Sequence, residues 1–158
     1  MAEYSANAVQ TITPAASAIF TESPVPCNRG LIFHRDESGT FRLASPAVIG
    51  SWASDWGCCC NQMPESYYLV SFHGNIAIPT GGTVGAISLA LSIDGAVDPS
   101  STMIVTPAAV EQYFNVGAGI IVAVPSICRC ASVSVVNTSN QDILLQNANL
   151  IIEYQGIR

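Results

Sequence analysis

Six cysteines are the side chains best equipped for chemistry: Cys27, Cys58, Cys59, Cys60, Cys128 and Cys130. An even count permits a disulfide framework. Cys128 and Cys130 stand two apart near the start of a strand-like segment, so they share one of its faces. Cys58 and Cys60 stand in the same relation, and bridges between the two segments are sterically allowed. A zinc site asks for pairs spaced by two to four residues, so that both thiolates turn toward one ion. Three adjacent cysteines and a one-residue gap do not supply that spacing. Small buried thiols, disulfides through Cys27, Cys58, Cys60, Cys128 or Cys130, and a metal site against the spacing all stay open.

The other candidates are weaker. His34 and His73 each end a β-like segment and belong to no metal-binding motif, so they read as polar strand-end residues. There is no G-x-S-x-G elbow, and Cys27 with His34 lacks the flanking residues of a Cys–His pair. No catalytic residue is assigned, and an enzyme is not expected. The stretch Gly81-Gly82-Thr83-Val84-Gly85 has no following Lys or helix, so it reads as a turn and not a phosphate loop. Asp94, Asp98, Glu111 and Asp142 are scattered and lack calcium-loop spacing. No cofactor or metal is expected. Trp52 and Trp56 fall outside any strand pattern, which suits core cover, an interface, or an exposed stacking platform for a glycan.

The elements that must position these residues are strands. Ile87-Ser-Leu-Ala-Leu-Ser-Ile93 alternates apolar with small or polar residues and runs into Asp94-Gly95, a favoured hairpin pair. Ala131–Val136 alternates likewise and ends at the turn cluster Asn137-Thr-Ser-Asn140. Ile120–Val124 is continuously apolar between Gly119 and Pro125, the pattern of a strand buried on both faces. Leu150–Tyr154 reads as the last strand. The one helix candidate is Pro107–Tyr113, with Thr106 as its cap. The expectation is an all-β antiparallel sandwich or jelly roll spanning 15–158. It carries a long irregular excursion at 45–65, and residues 1–14 form a separate N-terminal arm.

Charge sharpens the class. Only 10% of residues are charged, against about 25% in ordinary domains. All five cations are Arg, and the net charge is −6, which argues against a nucleic-acid partner. Apolar stretches such as 84–91 and 117–124 fall well short of the ~20 residues of a spanning helix, so no membrane partner is expected. The N-terminal residues have neither a basic region nor a continuous apolar one, and do not read as a signal peptide. A chain this apolar (49%) and this poor in charge is expected to hide surface by oligomerising.

From Ile76 to Tyr154, the runs "ISLALSIDG", "VAVPSICRC" leading into "SVSVVNTS", and "QNANLIIE" carry a resemblance. They resemble the trimeric jelly-roll domains of the tumour-necrosis-factor and complement-subunit type found in bacterial exosporium and phage structural proteins. The whole chain is similar to small structural proteins of phages of gut Firmicutes, although it lacks a Gly-X-Y collagen stalk. The resemblance implies a homotrimer with apolar strand faces between subunits. Its interface candidates are Ile87, Leu89, Leu91, Ile93, Tyr113, Phe114, Ile120, Val122 and Val124. It implies a capsid-decoration or head-fibre component on the virion surface, with residues 1–14 holding the major capsid or another virion protein. The alternatives are a bacterial cell-surface or spore-coat component, a disulfide-linked filament subunit, or a glycan-binding sandwich.

Overall fold

Alternation along β7 (Ile87–Ile93) and β11 (Cys130–Asn137) sends every second large side chain inward. The two strands pair antiparallel, with Val133 opposite Ile93 and Val135 opposite Leu91. In the computed structural model, which describes residues 1–27, 30–35, 38–46, 65–125 and 130–157, they form the centre of one of two sheets. That sheet, here sheet 2, runs β4 (Ile32–His34), β5 (Thr40–Ala44), β11, β7 and β8 (Ala96–Val97). Strand β9 (Met103–Val105) also pairs with β7. Sheet 1 runs β10 (Phe114–Pro125), β6 (Glu65–Ala77), β12 (Ile143–Ile157), β1 (Ala2–Ala6) and β3 (Glu22–Val25). Strand β2 (Gln10–Ile12) pairs with β12 beside β1. Every pairing is antiparallel; β4–β5 and β7–β8 pair locally, while pairs such as β1–β12, β6–β12 and β5–β11 join distant parts of the chain. This is the all-β jelly-roll sandwich that the sequence implies.

The inner faces of both sheets meet in one core. Phe20, Phe41, Leu43, Tyr68, Phe72, Leu89, Leu91, Leu145 and Leu150 are all fully buried there. Phe41 organises the aromatic part, with its ring 4.7 Å from Tyr4 and 5.3 Å edge-on from Phe20. Asp94 and Gly95 both take positive φ, 50° and 82°, closing the β7–β8 hairpin as the Asp-Gly pair predicts.

Three expectations are corrected. Residues 1–14 are not a separate arm: β1 lies between β12 and β3, and Ala2, Tyr4, Ala6 and Ile12 are core residues. Long-range pairing to β12 recruits a segment with no alternation of its own. Pro107–Tyr113 is a turn and not a helix, because Glu111 takes φ 58° and donates its N–H to the Ile78 carbonyl at 2.8 Å. The only helical piece among the described residues is a 3-10 turn at Pro99–Ser101, capped by Asp98. Finally, β10 is buried on one face only, because a two-layer sandwich covers only the inner face of each sheet, as the alternating burial of the inner strand β6 also shows.

Most of the 45–65 excursion, 47–64, lies outside the described residues, and Trp52, Trp56, Cys58, Cys59 and Cys60 lie with it. So does Cys128, in 126–129. The ends of the excursion are pinned. Ser45 Oγ and Ser66 Oγ are 2.9 Å apart and buried, and Tyr68 donates its hydroxyl to the Ala44 carbonyl. Burial first, then neighbouring Tyr154 and Cys27, pushes the Tyr68 phenol above its ordinary range. Among the described residues, no helix is long and apolar enough to cross a membrane.

Candidate functional site

Pairing of β10 with β6 decides which side chains leave the core. Ile120, Val122 and Val124 turn inward, so Ile121 and Ala123 turn outward, and Ile121 is 67% exposed. Cross-strand register then assembles rows on the outer face of sheet 1. Ile121 stands opposite Leu69, and Leu69 opposite Glu153. Gly119 stands opposite Ser71, and Ser71 opposite Ile151. Leu69 and Ile151 are half-buried, so with Ile121 they form an apolar centre on this face.

The polar groups around that centre are mostly tied. Asn149 Nδ2 donates to Glu3 at 2.6 Å, Tyr67 Oη to Glu65 at 2.9 Å, and Asn7 Nδ2 to Glu22 at 3.0 Å. The strands of sheet 1 carry Glu3, Glu22, Glu65 and Glu153 but no Lys or Arg. Strand β10 has no charged residue along its twelve positions. A long, uncharged edge strand is the feature soluble proteins ordinarily blunt with Lys, Pro or a covering element. The arrangement is fit for contact with another protein surface.

The interface candidates fall into two groups. Ile87, Leu89, Leu91, Ile120, Val122 and Val124 are at most 7% exposed and fill this chain's own sandwich, so they are not available to a partner. Their large side chains share the inward parity of their strands, and the outward parity belongs to the residues between them. Ile93 and Phe114 are half-buried, and Tyr113 is 39% exposed beside β10. The outward residues Leu69, Ile121 and Ile151 were missed. The signal for them was the parity of each strand, which needs a pairing partner to be read.

The histidines do not form a site together. His34 stacks on Phe41 at 4.3 Å and bonds the Ser38 carbonyl at 3.0 Å through Nε2. His73 is not at a strand end: it stands in the middle of β6, exposed on the outer face of sheet 1. Gly117 lies opposite it, and a Cβ there would come within 2.6 Å of His73 Nδ1. Cys27 lines a cavity of about 220 Å³ with Val25, Pro26, Leu31, Ile32 and Tyr154, smaller than ordinary ligand pockets. Cys130 is a thiol on β11 whose sulfur accepts from Arg42 Nη2 at 3.2 Å. The glycine-rich stretch is a turn, with Gly81 at φ 88° and Gly82 N–H donating to the Pro79 carbonyl. Among the described residues, no three His, Cys, Asp or Glu side chains gather as a metal site.

No protein-family model matches the chain, and none of the curated proteins does. Solved structures do. The globular domain of zebrafish complement 1qA superposes with a TM-score of 0.53 at 11% identity, covering 95% of this chain and 94% of that one. A family 35 carbohydrate-binding module from Clostridium thermocellum aligns at a TM-score of 0.33 and 10% identity, over 94% and 91%. The chain is therefore a jelly-roll β-sandwich domain with the fold of the complement 1q globular domain.

Proposed function

We propose that this chain is a non-enzymatic structural jelly roll that assembles as a homotrimer through the outer face of sheet 1 and decorates a virion shell. The observation that carries the assembly is the uncharged edge strand β10, with Ile121 exposed next to Leu69 and Ile151. A second copy covering this face removes apolar surface from water and brings no cation into contact, with Glu153, opposite Leu69, at the border of the apolar row. The low charge of the whole chain supports the same reading. Three copies, and a place on a capsid, follow from the resemblance to trimeric jelly rolls in phage structural proteins. Residues 1–14 belong to the sandwich, and in this reading attachment is assigned to a folded surface.

Native mass by light scattering tests the assembly: three chains are expected, and a well-behaved monomer overturns it. Co-sedimentation with intact phage particles tests the location. Recovery of the protein only in the free fraction overturns the virion assignment while leaving the trimer standing. A ladder on non-reducing gels that collapses with reductant favours the disulfide-linked filament instead.

A further inference from the structure

Sheet 2 has a different outer face. Of the residues on its strands, Arg42 alone carries a formal charge. Arg42 is exposed, and among the described residues its one hydrogen bond goes to the Cys130 sulfur and it forms no ion pair. Register lines up a row across three strands and the turn after β7. Phe33 stands opposite Arg42, Arg42 opposite Ser132, and Asp94 N–H donates to the Ser132 carbonyl at 2.9 Å. Phe33 is 52% exposed. With strands ~4.8 Å apart, the row runs about 14 Å from Phe33 to Asp94. Thr40 and Ser134, paired with each other, border it with hydroxyls.

Asp94 is held as a fixed acceptor. Its Oδ1 takes the Ser132 N–H at 2.7 Å and the Ser132 hydroxyl at 3.1 Å, which leaves Oδ2 without a hydrogen bond among the described residues. The row thus presents an aromatic face, a guanidinium fork, a hydroxyl and a carboxylate oxygen, in that order. Arg42 and Ser132 stand on inner strands of the sheet, Phe33 on its edge strand β4 and Asp94 in the turn after β7.

We propose that this row binds a carboxylate-bearing sugar at the end of a glycan. The carboxylate meets the Arg42 fork, which suits a planar anion bidentately. The apolar face of the ring lies on Phe33, and hydroxyls further along reach Ser132 and Asp94 Oδ2. Arg42 is the one formal charge on the strands of this sheet, and charge complementarity to it selects the acidic sugar, whose hydroxyls and not its carboxylate meet Asp94. A peptide is disfavoured because strand-like recognition draws on free backbone groups along a sheet edge, whereas Arg42 and Ser132 stand on inner strands and offer a ligand their side chains. The site lies on the sheet opposite the assembly face and does not depend on it.

The full-length protein is applied at neutral pH to an array of sialylated and uronic-acid-terminated oligosaccharides beside their neutral counterparts, with native mass measured in parallel. Retention on the acidic members only is expected. Arg42→Ala should weaken it by at least about tenfold, Arg42→Lys by less, and Phe33→Ala by about fivefold. His73→Ala, on the other sheet, should leave it unchanged. No retention on acidic glycans, equal retention of neutral ones, or full binding by Arg42→Ala with an unchanged melting temperature overturns the site. None of these results bears on the native mass, so the two proposals fail separately.

Discussion

The side-chain amide of Asn137 donates to the Ile12 carbonyl at 2.8 Å, joining positions 125 residues apart. The same Nδ2 donates to the Gln141 carbonyl at 2.9 Å, and Oδ1 accepts the Ser139 N–H at 2.8 Å. One buried amide thereby closes the turn after β11 and locks the N-terminal residues to it. Asn137→Ala leaves these groups without that partner in a buried place. It should cost about 2–4 kcal/mol, read as a lower urea midpoint with an unchanged slope.

Deleting residues 1–14 removes β1 and β2 from sheet 1 and strips cover from Ile152, Leu150 and Leu145 on β12. The truncated chain should lose its cooperative thermal transition. A truncated protein that melts like the full-length one would show that β1 contributes little to the sandwich.

Gly39 offers a sharper local test. A Cβ at this position would lie 2.6 Å from Ser17 Cβ and 2.7 Å from the Ala18 carbonyl oxygen. Backbone on one side leaves little room to yield. Gly39→Ala should destabilise by about 1–3 kcal/mol in chemical denaturation.

On the outer face of sheet 1, Ile121→Glu should raise the dissociation constant of the assembly by at least about tenfold, about 1.4 kcal/mol, with the fold intact. Light scattering over a dilution series measures it, with circular dichroism as the check on folding. Val122→Glu on the inner face should instead unfold the chain, since Val122 is only 1% exposed.

Tyr68 makes stability depend on alkaline pH. Its phenol is raised in the fold by burial, then by Tyr154 and Cys27, while in the unfolded chain it ionises near about 10. Above that pH the unfolded state has released a proton that the folded state retains, so stability must fall as pH rises. Tyr4, raised by burial and then by Cys27, acts in the same sense. Urea midpoints should be level from pH 8 to 9 and drop beyond pH 10. Tyr68→Phe should flatten part of that drop while lowering the midpoint at neutral pH, because it loses the bond to the Ala44 carbonyl.

How much could be read in advance differs by element. β7 was legible to its ends, because Ile87–Ile93 alternates and Asp94-Gly95 terminates it with two positive φ values. β11 and the end of β12 were legible for the same reason. β1 and β3 were not. Their sequences, AEYSA and ESPV, contain too little apolar patterning to declare a strand, and they exist by pairing with each other and with β12. Pro107–Tyr113 looked helical by its cap and first-turn proline, but the Ile78 carbonyl and a positive φ at Glu111 hold it as a turn.

The candidate sites show the same division. That Ile120 and Ile121 would both be in a strand was plain; which one would face water was not. A run apolar in both parities contains no sign of its inner face, and only pairing with β6 supplies it. Likewise Phe33, Arg42, Ser132 and Asp94 are spread over 99 residue steps of sequence and become one row only through two registers and a turn. By itself the amino-acid order determined the class: an all-β chain of antiparallel strands with little charge. Composition and local periodicity are enough for that, because they set what each segment can bury. Strand order, register and face were decided by the tertiary structure, since backbone ladders join segments that carry no local record of their partners.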